Sequence, residues 1–183
     1  MRAPIFALLA GLLLAGCASA GLQSSSAPQP AKPVAVERLY TGLWHEFARR
    51  PMALTDGCVF ATTAYSRDAQ GRIDVLDSCR MGTLAGELKT IGGPGEILDP
   101  GTNAKLRVTY TLFGVVPIVR DYWILDRAQD YSWFISADPS FTDLYIFVRD
   151  PKMSPALRRQ LVQRAAALGY DVSKLEYPEL PRR

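Results

Sequence analysis

Side chains able to carry out covalent or metal chemistry are few in this chain of 183 residues, which has one histidine and three cysteines. The histidine, His45, is of the type that serves as a general base or metal ligand. Side chains alternate along a strand, so His45 lies on the outer face if its neighbour Trp44 points inward. No second histidine could share a metal ion with it, and no nucleophile stands beside a base. We therefore expect no catalytic residue, no metal site and no cofactor.

The N-terminus has the order of an export signal. Arg2 precedes an apolar run over residues 5–14, and polar residues follow shortly after the run. A membrane-spanning helix needs roughly 20 apolar residues, so this run is too short to cross a bilayer. The pattern predicts a signal peptide over residues 1–16.

Cys17 ends the sequence Leu14-Ala15-Gly16-Cys17, which resembles the lipobox of bacterial lipoproteins, where the cysteine thiol is acylated. The resemblance predicts a lipid on Cys17 and anchoring in the cell envelope. By analogy with lipoproteins of enteric bacteria, Ala18 favours the outer membrane, with the protein facing the periplasm. One alternative stays open: Ala18-Ser19-Ala20 is an ordinary cleavage site, and its use would discard Cys17 and release a soluble protein.

Composition divides the exported part into a tether and a domain. Residues 17–35 lack an apolar period and are rich in Ser, Pro and Ala, which predicts a semi-extended tether after the lipidated N-terminus. Residues 36–183 are enough for one domain with a sizeable core. The formal charge is only +3, and the basic residues are scattered instead of clustering around exposed aromatics. This pattern argues against nucleic acid as a partner.

Two neighbouring segments have the pattern of a β-hairpin. Residues 59–65 and 73–78 alternate apolar and polar side chains, and turn-forming residues separate them. Cys58 and Cys79 lie symmetrically about this turn. We therefore predict a disulfide that joins facing positions of two antiparallel strands, as the oxidising compartment of an exported protein permits.

The rest of the chain predicts more strands and one helix. Further runs with strand period lie at 86–91, 105–110, 121–125, 131–135 and 143–149, and many short strands predict a sandwich or barrel. Ser154 is a good N-cap and Pro155 suits the first helical position. The residues that follow have helical period and predict a helix docked outside the sheet, with an apolar face formed by Leu157, Leu161, Val162, Ala165 and Leu168.

Two motifs carry a family resemblance. Gly42-Leu43-Trp44 matches the G-x-W that opens a first barrel strand, and Arg149 matches an arginine at the end of the last strand, with a helix following at once. Through them the chain resembles the lipocalin family, specifically its bacterial outer-membrane branch, over residues 39–177. The resemblance implies an all-β fold, an eight-stranded up-and-down antiparallel β-barrel with one C-terminal helix packed outside. Such a barrel is wide enough for one small ligand.

The same resemblance gives the motif residues a structural role. The tryptophan at the position of Trp44 plugs the closed end of the barrel in this family, and the arginine at the position of Arg149 packs over it. A cation over an indole face contributes about 0.5 to 2 kcal/mol. Gly42, Trp44 and Arg149 are thus expected to close the barrel. The turn residues over 92–103 depart from the family pattern and predict an irregular strand there.

Candidates for the ligand pocket come from strand parity and from aromatic residues that suit an apolar wall. Glu46 and Ala48 share the inward parity of Trp44, and a buried Glu46 needs a partner, such as Arg149, Arg50 or a ligand headgroup. Tyr145 and Phe147 share the strand parity of Arg149 and are therefore expected to point inward. The complete set of candidates is Glu46, Ala48, Tyr110, Tyr122, Trp133, Tyr145 and Phe147.

The function implied by the resemblance is that of a membrane-tethered binding protein for storage or transport of a small amphiphilic lipid, a fatty acid or lysophospholipid. Two alternatives remain at this point. The first is an interaction or structural lipoprotein whose barrel is filled by its own aromatic side chains. The second is a lipocalin-fold enzyme that uses a cavity thiol, for which the cysteines of the domain would have to be free.

Overall fold

The computed structural model describes residues 26–112 and 114–180, which form a closed barrel of eight antiparallel strands. Each strand pairs with the next along the chain, and the last strand pairs with the first. The predicted up-and-down barrel is therefore confirmed. The strands are β1 (Gly42–Arg49), β2 (Cys58–Arg67), β3 (Ile73–Met81), β4 (Leu88–Ile97), β5 (Lys105–Leu112), β6 (Val116–Arg127), β7 (Trp133–Ala137) and β8 (Leu144–Val148).

The up-and-down order gives the barrel two distinct ends. The start of β1 and the end of β8 lie at one end, which the short helix α1 (Val36–Leu39) covers, and this is the closed end. The loops over 68–72, 98–104 and 128–132 lie at the same end. The connections over 50–57, 82–87 and 138–143, together with the turn at Gly114 and Val115, lie at the opposite, open end.

An irregularity in β1 reverses its side-chain alternation. Glu46 pairs with Phe147 of β8, but the next pair is Ala48 with Ile146, so Phe47 is an extra residue in β1. Such a bulge leaves two successive side chains on one face. Phe47 and Ala48 both pack on the outer side of the wall, and Arg49, instead of Ala48, returns to the inner side.

The predicted C-terminal helix is α2 (Pro155–Ala167), and it packs outside the barrel as expected. The Ser154 hydroxyl caps it by accepting a hydrogen bond from the Leu157 backbone N–H. Leu161 and Ala165 are fully buried against the outer faces of β1, β7 and β8. A second apolar cluster fills the closed half of the barrel interior, so the barrel wall has a core on each side there.

The glycine-rich stretch that predicted an irregular strand is a regular part of β4, which corrects that expectation. Residues 92–95 pair continuously with 73–76 of β3. A Cβ atom on Gly93 would lie 1.9 Å from the carbonyl oxygen of Thr109 in β5, so only glycine allows the two strands to approach this closely. The turn residues therefore serve the sheet, and the turn itself follows at 98–104.

The N-terminal residues assigned to a tether lie against the barrel from Ala27 onward. Ala27 and Val34 are buried, and the backbone N–H of Ala27 donates to the Pro139 carbonyl at the open end. The backbone N–H of Val34 donates to the Thr102 carbonyl at the closed end. This strap, residues 27–35, therefore runs along the whole wall. The signal peptide and Cys17 lie outside the described residues.

The predicted disulfide between Cys58 and Cys79 is present, with 5.6 Å between the Cα atoms. The symmetry about the turn predicted that the two cysteines occupy directly facing positions, and the structure corrects this detail. Cys58 pairs with Met81 and Cys79 with Ala61, because a register shift between Cys58 and Phe60 displaces the strands. The bond ties the open ends of β2 and β3 together.

Removing this disulfide with the double substitution Cys58→Ala and Cys79→Ala is expected to lower the free energy of unfolding by about 3 kcal/mol. The bond closes a loop of 21 residues, and the unfolded chain regains the corresponding entropy. Urea denaturation measures the loss. A reductant should move the parent to the midpoint of the variant and leave the variant unchanged; identical midpoints without reductant would contradict the prediction.

No helix among residues 26–112 and 114–180 combines the length and the apolar character needed to span a bilayer.

Candidate ligand-binding cavity

Trp44 and Arg149 close one end of the barrel. Trp44 is completely buried, its indole Nε1 donates to the Leu39 carbonyl at 3.0 Å, and the guanidinium carbon of Arg149 lies 3.6 Å from its ring centre. Arg149 also donates to the carbonyls of Leu43 and Arg38, both at 2.9 Å. Gly42, two residues before Trp44, has a positive φ of 66°, a conformation that favours glycine. The motif residues thus form one compact plug.

A cavity of about 760 Å³ extends from above this plug to the open end. Its volume lies within the range of about 300–1,000 Å³ that is typical of small-molecule sites. Apolar side chains form most of the wall, with polar groups grouped part-way down. The apolar lining includes Leu54, Val75, Leu88, Ile91, Val108, Ile118 and Phe147.

A connected polar group crosses the middle of the lumen. The carboxylate of Asp77 accepts hydrogen bonds from the Thr63 hydroxyl at 2.6 Å and from the Tyr110 hydroxyl at 2.7 Å. The Tyr110 and Tyr122 hydroxyls are 3.1 Å apart. Burial raises the pKa of Asp77, and these hydrogen bonds act against that rise. We call Asp77, Thr63, Tyr110 and Tyr122 the polar belt; it presents hydroxyl groups to whatever occupies the cavity.

Glu46 also lines the cavity, and its partner is Arg49. An Arg49 Nη1–H donates to Glu46 Oε1 at 2.7 Å, while the same guanidinium donates to Glu176 at 2.6 Å and to the Cys58 carbonyl at 2.7 Å. Arg49 is only 1% exposed. Burial raises the pKa of Glu46 to about 7, although the Arg49 charge acts in the opposite direction. The partners expected from sequence, Arg149 and Arg50, do not contact Glu46 in the described hydrogen bonds.

The raised pKa of Glu46 makes stability depend on pH. The folded carboxyl stays protonated up to about pH 7, whereas the unfolded one ionises above about 4.5, so between these values the folded state binds more protons. Its contribution to stability is therefore present below about pH 4.5 and is lost as the pH rises through 7. We expect the parent to lose on the order of 2–3 kcal/mol relative to Glu46→Gln over this window.

Urea denaturation of both proteins across this pH range provides the measurement. The glutamine keeps an oxygen acceptor for Arg49, and the difference between the two proteins cancels other titrations, including that of His45, whose pKa burial lowers. Parallel stability profiles for parent and variant would show that the Glu46 carboxyl ionises normally.

The structure brings five of the seven candidate residues together around the cavity: Glu46, Tyr110, Tyr122, Tyr145 and Phe147. Ala48 does not line it, because the bulge at Phe47 turns Ala48 outward. Trp133 does not line it either. It packs in the outer cluster, 5.0 Å from the guanidinium of Arg164 on α2, because in β7 it is Phe134 and Ser136 that face inward.

The sequence reasoning missed several polar residues inside the barrel, among them Arg49, Asp77 and Arg120. Asp77 has the parity of Ile73 and Val75, so a carboxylate on an apolar face was a readable signal. Arg49 carried none, since its inward position depends on the bulge. Arg120 lines the cavity and pairs with Asp143 from the loop at the open end, a contact between segments far apart in sequence.

His45 lies outside the cavity lining, half-buried, with its ring centre 5.9 Å from that of Phe60. Its Nδ1 is buried without a hydrogen-bond partner among the described residues. Within the same part of the chain, no group of three His, Cys, Asp or Glu side chains has the arrangement of a metal site.

Comparison with known proteins decides the family. The sequence model of one protein family, the lipocalin-like domain, matches residues 34–180, which include the plug, the strands and α2. The chain belongs to the lipocalin family. This lipocalin is 33% identical over 149 residues to temperature-induced lipocalin-1 of Arabidopsis thaliana, covering 79% of this chain and 78% of the relative. It is 28% identical over 182 residues to the outer membrane lipoprotein Blc of Citrobacter freundii, covering 97% and 96% of the two chains.

Solved structures agree with the fold. Insecticyanin from the tobacco hornworm Manduca sexta superposes on this lipocalin with a TM-score of 0.64 at 19% identity, covering 88% of each chain. At that identity the likeness shows the fold alone. Family membership implies the binding of a small hydrophobic ligand, and lipocalins are in general binding or transport proteins.

Proposed function

We propose that this protein is a membrane-tethered lipocalin that stores or carries a small amphiphilic lipid, a fatty acid or a lysophospholipid. The observation that carries the proposal is the 760 Å³ cavity, which is open at one end, has apolar walls and contains hydroxyl groups part-way down. An apolar wall suits an acyl chain, and the polar groups suit the end of the ligand that would otherwise lose its hydrogen bonds on leaving water.

The affinity follows from the length of chain that the cavity buries. About ten methylenes at about 0.8 kcal/mol each give a gross gain near 8 kcal/mol. Loss of ligand motion reduces this gain, so we expect a Kd in the micromolar range.

Neither of the two buried carboxyl groups requires a cationic ligand. Glu46 is paired with Arg49, and Asp77 accepts two hydrogen bonds, so neither needs a cation from the ligand. The cationic side chains that line the described cavity are Lys89 and Arg120. Arg120, which already contacts Asp143, lies near the Tyr122 and Tyr145 rings and provides positive charge for a carboxylate or phosphate.

Two features weigh against the alternatives left open by the sequence. Cys58 and Cys79 are joined, so the domain supplies no free cavity thiol of the kind the enzymatic alternative needs. The aromatic side chains of the lumen leave the cavity empty above Phe147 and Tyr145, whereas the structural alternative needs a filled barrel.

A fluorescent fatty acid displaced by unlabelled ligand tests the proposal. The delipidated protein should bind about one probe per barrel with micromolar Kd, and palmitate or lysophosphatidylcholine should displace it, while a short-chain acid should not. If long-chain and short-chain acids compete equally, or if no probe binds, the proposal fails.

Lipidation of Cys17 is the part of the proposal that concerns the membrane. The lipobox at residues 14–17 and the similarity to outer membrane lipoproteins of Citrobacter freundii and Escherichia coli support it. Intact-mass analysis of the protein from its native host should show an acylated N-terminal cysteine. A soluble product that begins at Gly21 would contradict the tether and leave the cavity proposal standing.

A further inference from the structure

The open end of the barrel exposes apolar side chains on several loops at once. We call these residues the rim: Leu54, Leu84, Leu88, Val115 and Val116. Val115 is 78% exposed and Leu54 is 62% exposed, and they come from the β5–β6 turn and the β1–β2 connection, respectively. Aliphatic groups gathered at one end of a soluble domain mark a surface that is covered in use.

The rim is continuous with the cavity. Leu54 and Leu88 are exposed to solvent and line the cavity at the same time. A ligand that passes the rim into the lumen therefore moves over aliphatic groups. A lipid bilayer is the occupant that would use this continuity, because an acyl chain could leave it without crossing water.

The strap places the N-terminus of the described chain at the same end. Ala27 is hydrogen-bonded to Pro139 in the β7–β8 loop at the open end, and the strap then runs away from it to Thr102 at the closed end. Ser26 is nine positions after Cys17. Even a fully extended chain of that length spans only about 30 Å. The segment that would carry a lipid on Cys17 therefore joins the barrel at the rim end and not at the plug end.

We infer that the rim is a membrane-docking surface: the barrel sits with its open end against the bilayer, and its ligand enters and leaves through that contact. The inference rests on the proposed function for its tether and its ligand. Because the strap returns the chain to the open end, a lipid anchor favours the orientation in which the rim faces the bilayer. If the strap did not pack on the wall, the chain would leave the barrel at the closed end, next to α1.

A tryptophan added at one position reports the docking as a difference from the emission of the parent, which already has Trp44, Trp123 and Trp133. The protein as isolated from its host is mixed with phosphatidylethanolamine–phosphatidylglycerol vesicles, with or without brominated acyl chains. The new indole of Val115→Trp should shift to shorter emission wavelengths and lose about half or more of its emission to the brominated lipid. Leu76→Trp is the matched control, because Leu76 is 46% exposed but lies on the wall in β3, and its indole should be unaffected. Equal quenching of both, or of neither, overturns the inference.

A transfer assay tests the consequence for the ligand. The double substitution Leu84→Asp with Val115→Asp changes rim residues outside the cavity lining, so fatty-acid affinity in solution should stay at the parent value. The rate of fatty-acid transfer from vesicles should fall about tenfold or more, since two aliphatic anchors are replaced by charges. Leu76→Asp should transfer at the parent rate.

The two proposals fail in different ways. Unchanged transfer by the rim variant overturns the docking inference while the cavity proposal stands. Absence of fatty-acid binding by the parent in solution overturns the proposed function, and the tryptophan measurement then still decides whether the rim meets the bilayer.

Discussion

Replacing Ala61 by tryptophan is expected to lower the affinity for a long-chain fatty acid by at least about a hundredfold while the barrel stays folded. Ala61 lies on the inner face of β2 and lines the cavity. An indole there takes space that about four methylenes of a ligand would occupy. Their loss costs about 3 kcal/mol, which corresponds to roughly two orders of magnitude in Kd.

The matched control for this variant is Val119→Trp. Val119 is exposed on β6 and does not line the cavity, so the same side chain is added to the outside of the barrel. Probe displacement measures binding, and circular dichroism monitors the sheet. Parent-like binding by Ala61→Trp would mean that the ligand lies elsewhere than in the lumen.

Truncating Trp44 to alanine is expected to lower the free energy of unfolding by about 3–5 kcal/mol, the largest stability effect of any single substitution considered. The side chain is fully buried, so its removal leaves a cavity at the closed end. The substitution also removes the edge-on contact with Phe134, whose ring centre is 4.7 Å from that of Trp44. In addition, the Arg149 guanidinium loses the indole ring over which it packs. The cation–π contact alone contributes about 0.5–2 kcal/mol.

Trp123→Ala provides the comparison, because Trp123 is half-buried on the outside of β6 beneath Lys105. Its loss should cost about 1 kcal/mol, since part of its surface already faces water. Thermal and urea denaturation of both variants measure the difference. Equal losses for the two tryptophans would contradict the role assigned to the plug.

The sequence predicted the elements that local patterns determine. Ser154, Pro155 and the helical period that follows defined α2, and the alternation about the 67–72 turn defined the β2–β3 hairpin. Trp44 and Arg149 marked the first and the last strand of the sheet, which must pair with each other for the barrel to close.

The errors arose where strand pairing overrides simple alternation. A single extra residue, Phe47, exchanged the sides of Ala48 and Arg49, and alternation cannot reveal a bulge that forms only when β1 meets β8. Trp133 was a candidate by residue type alone, and its side depends on the packing of α2 against β7. The glycines of β4 resembled a turn, although Gly93 allows the close approach of β5 and Gly92 that of β3. Nothing local in the strap indicated its hydrogen bonds to Thr102 and Pro139.

The lipid content of the protein purified from its native envelope tests the central claim most directly. Organic extraction and mass spectrometry should find about one long-chain fatty acid or lysophospholipid per barrel in the parent, after the covalent lipid has been accounted for. Ala61→Trp, purified in parallel, should contain little or none, and Val119→Trp should match the parent. Equal amounts of lipid in Ala61→Trp and the parent, or none in any of the three, would contradict the assignment of the lumen as a lipid-binding site.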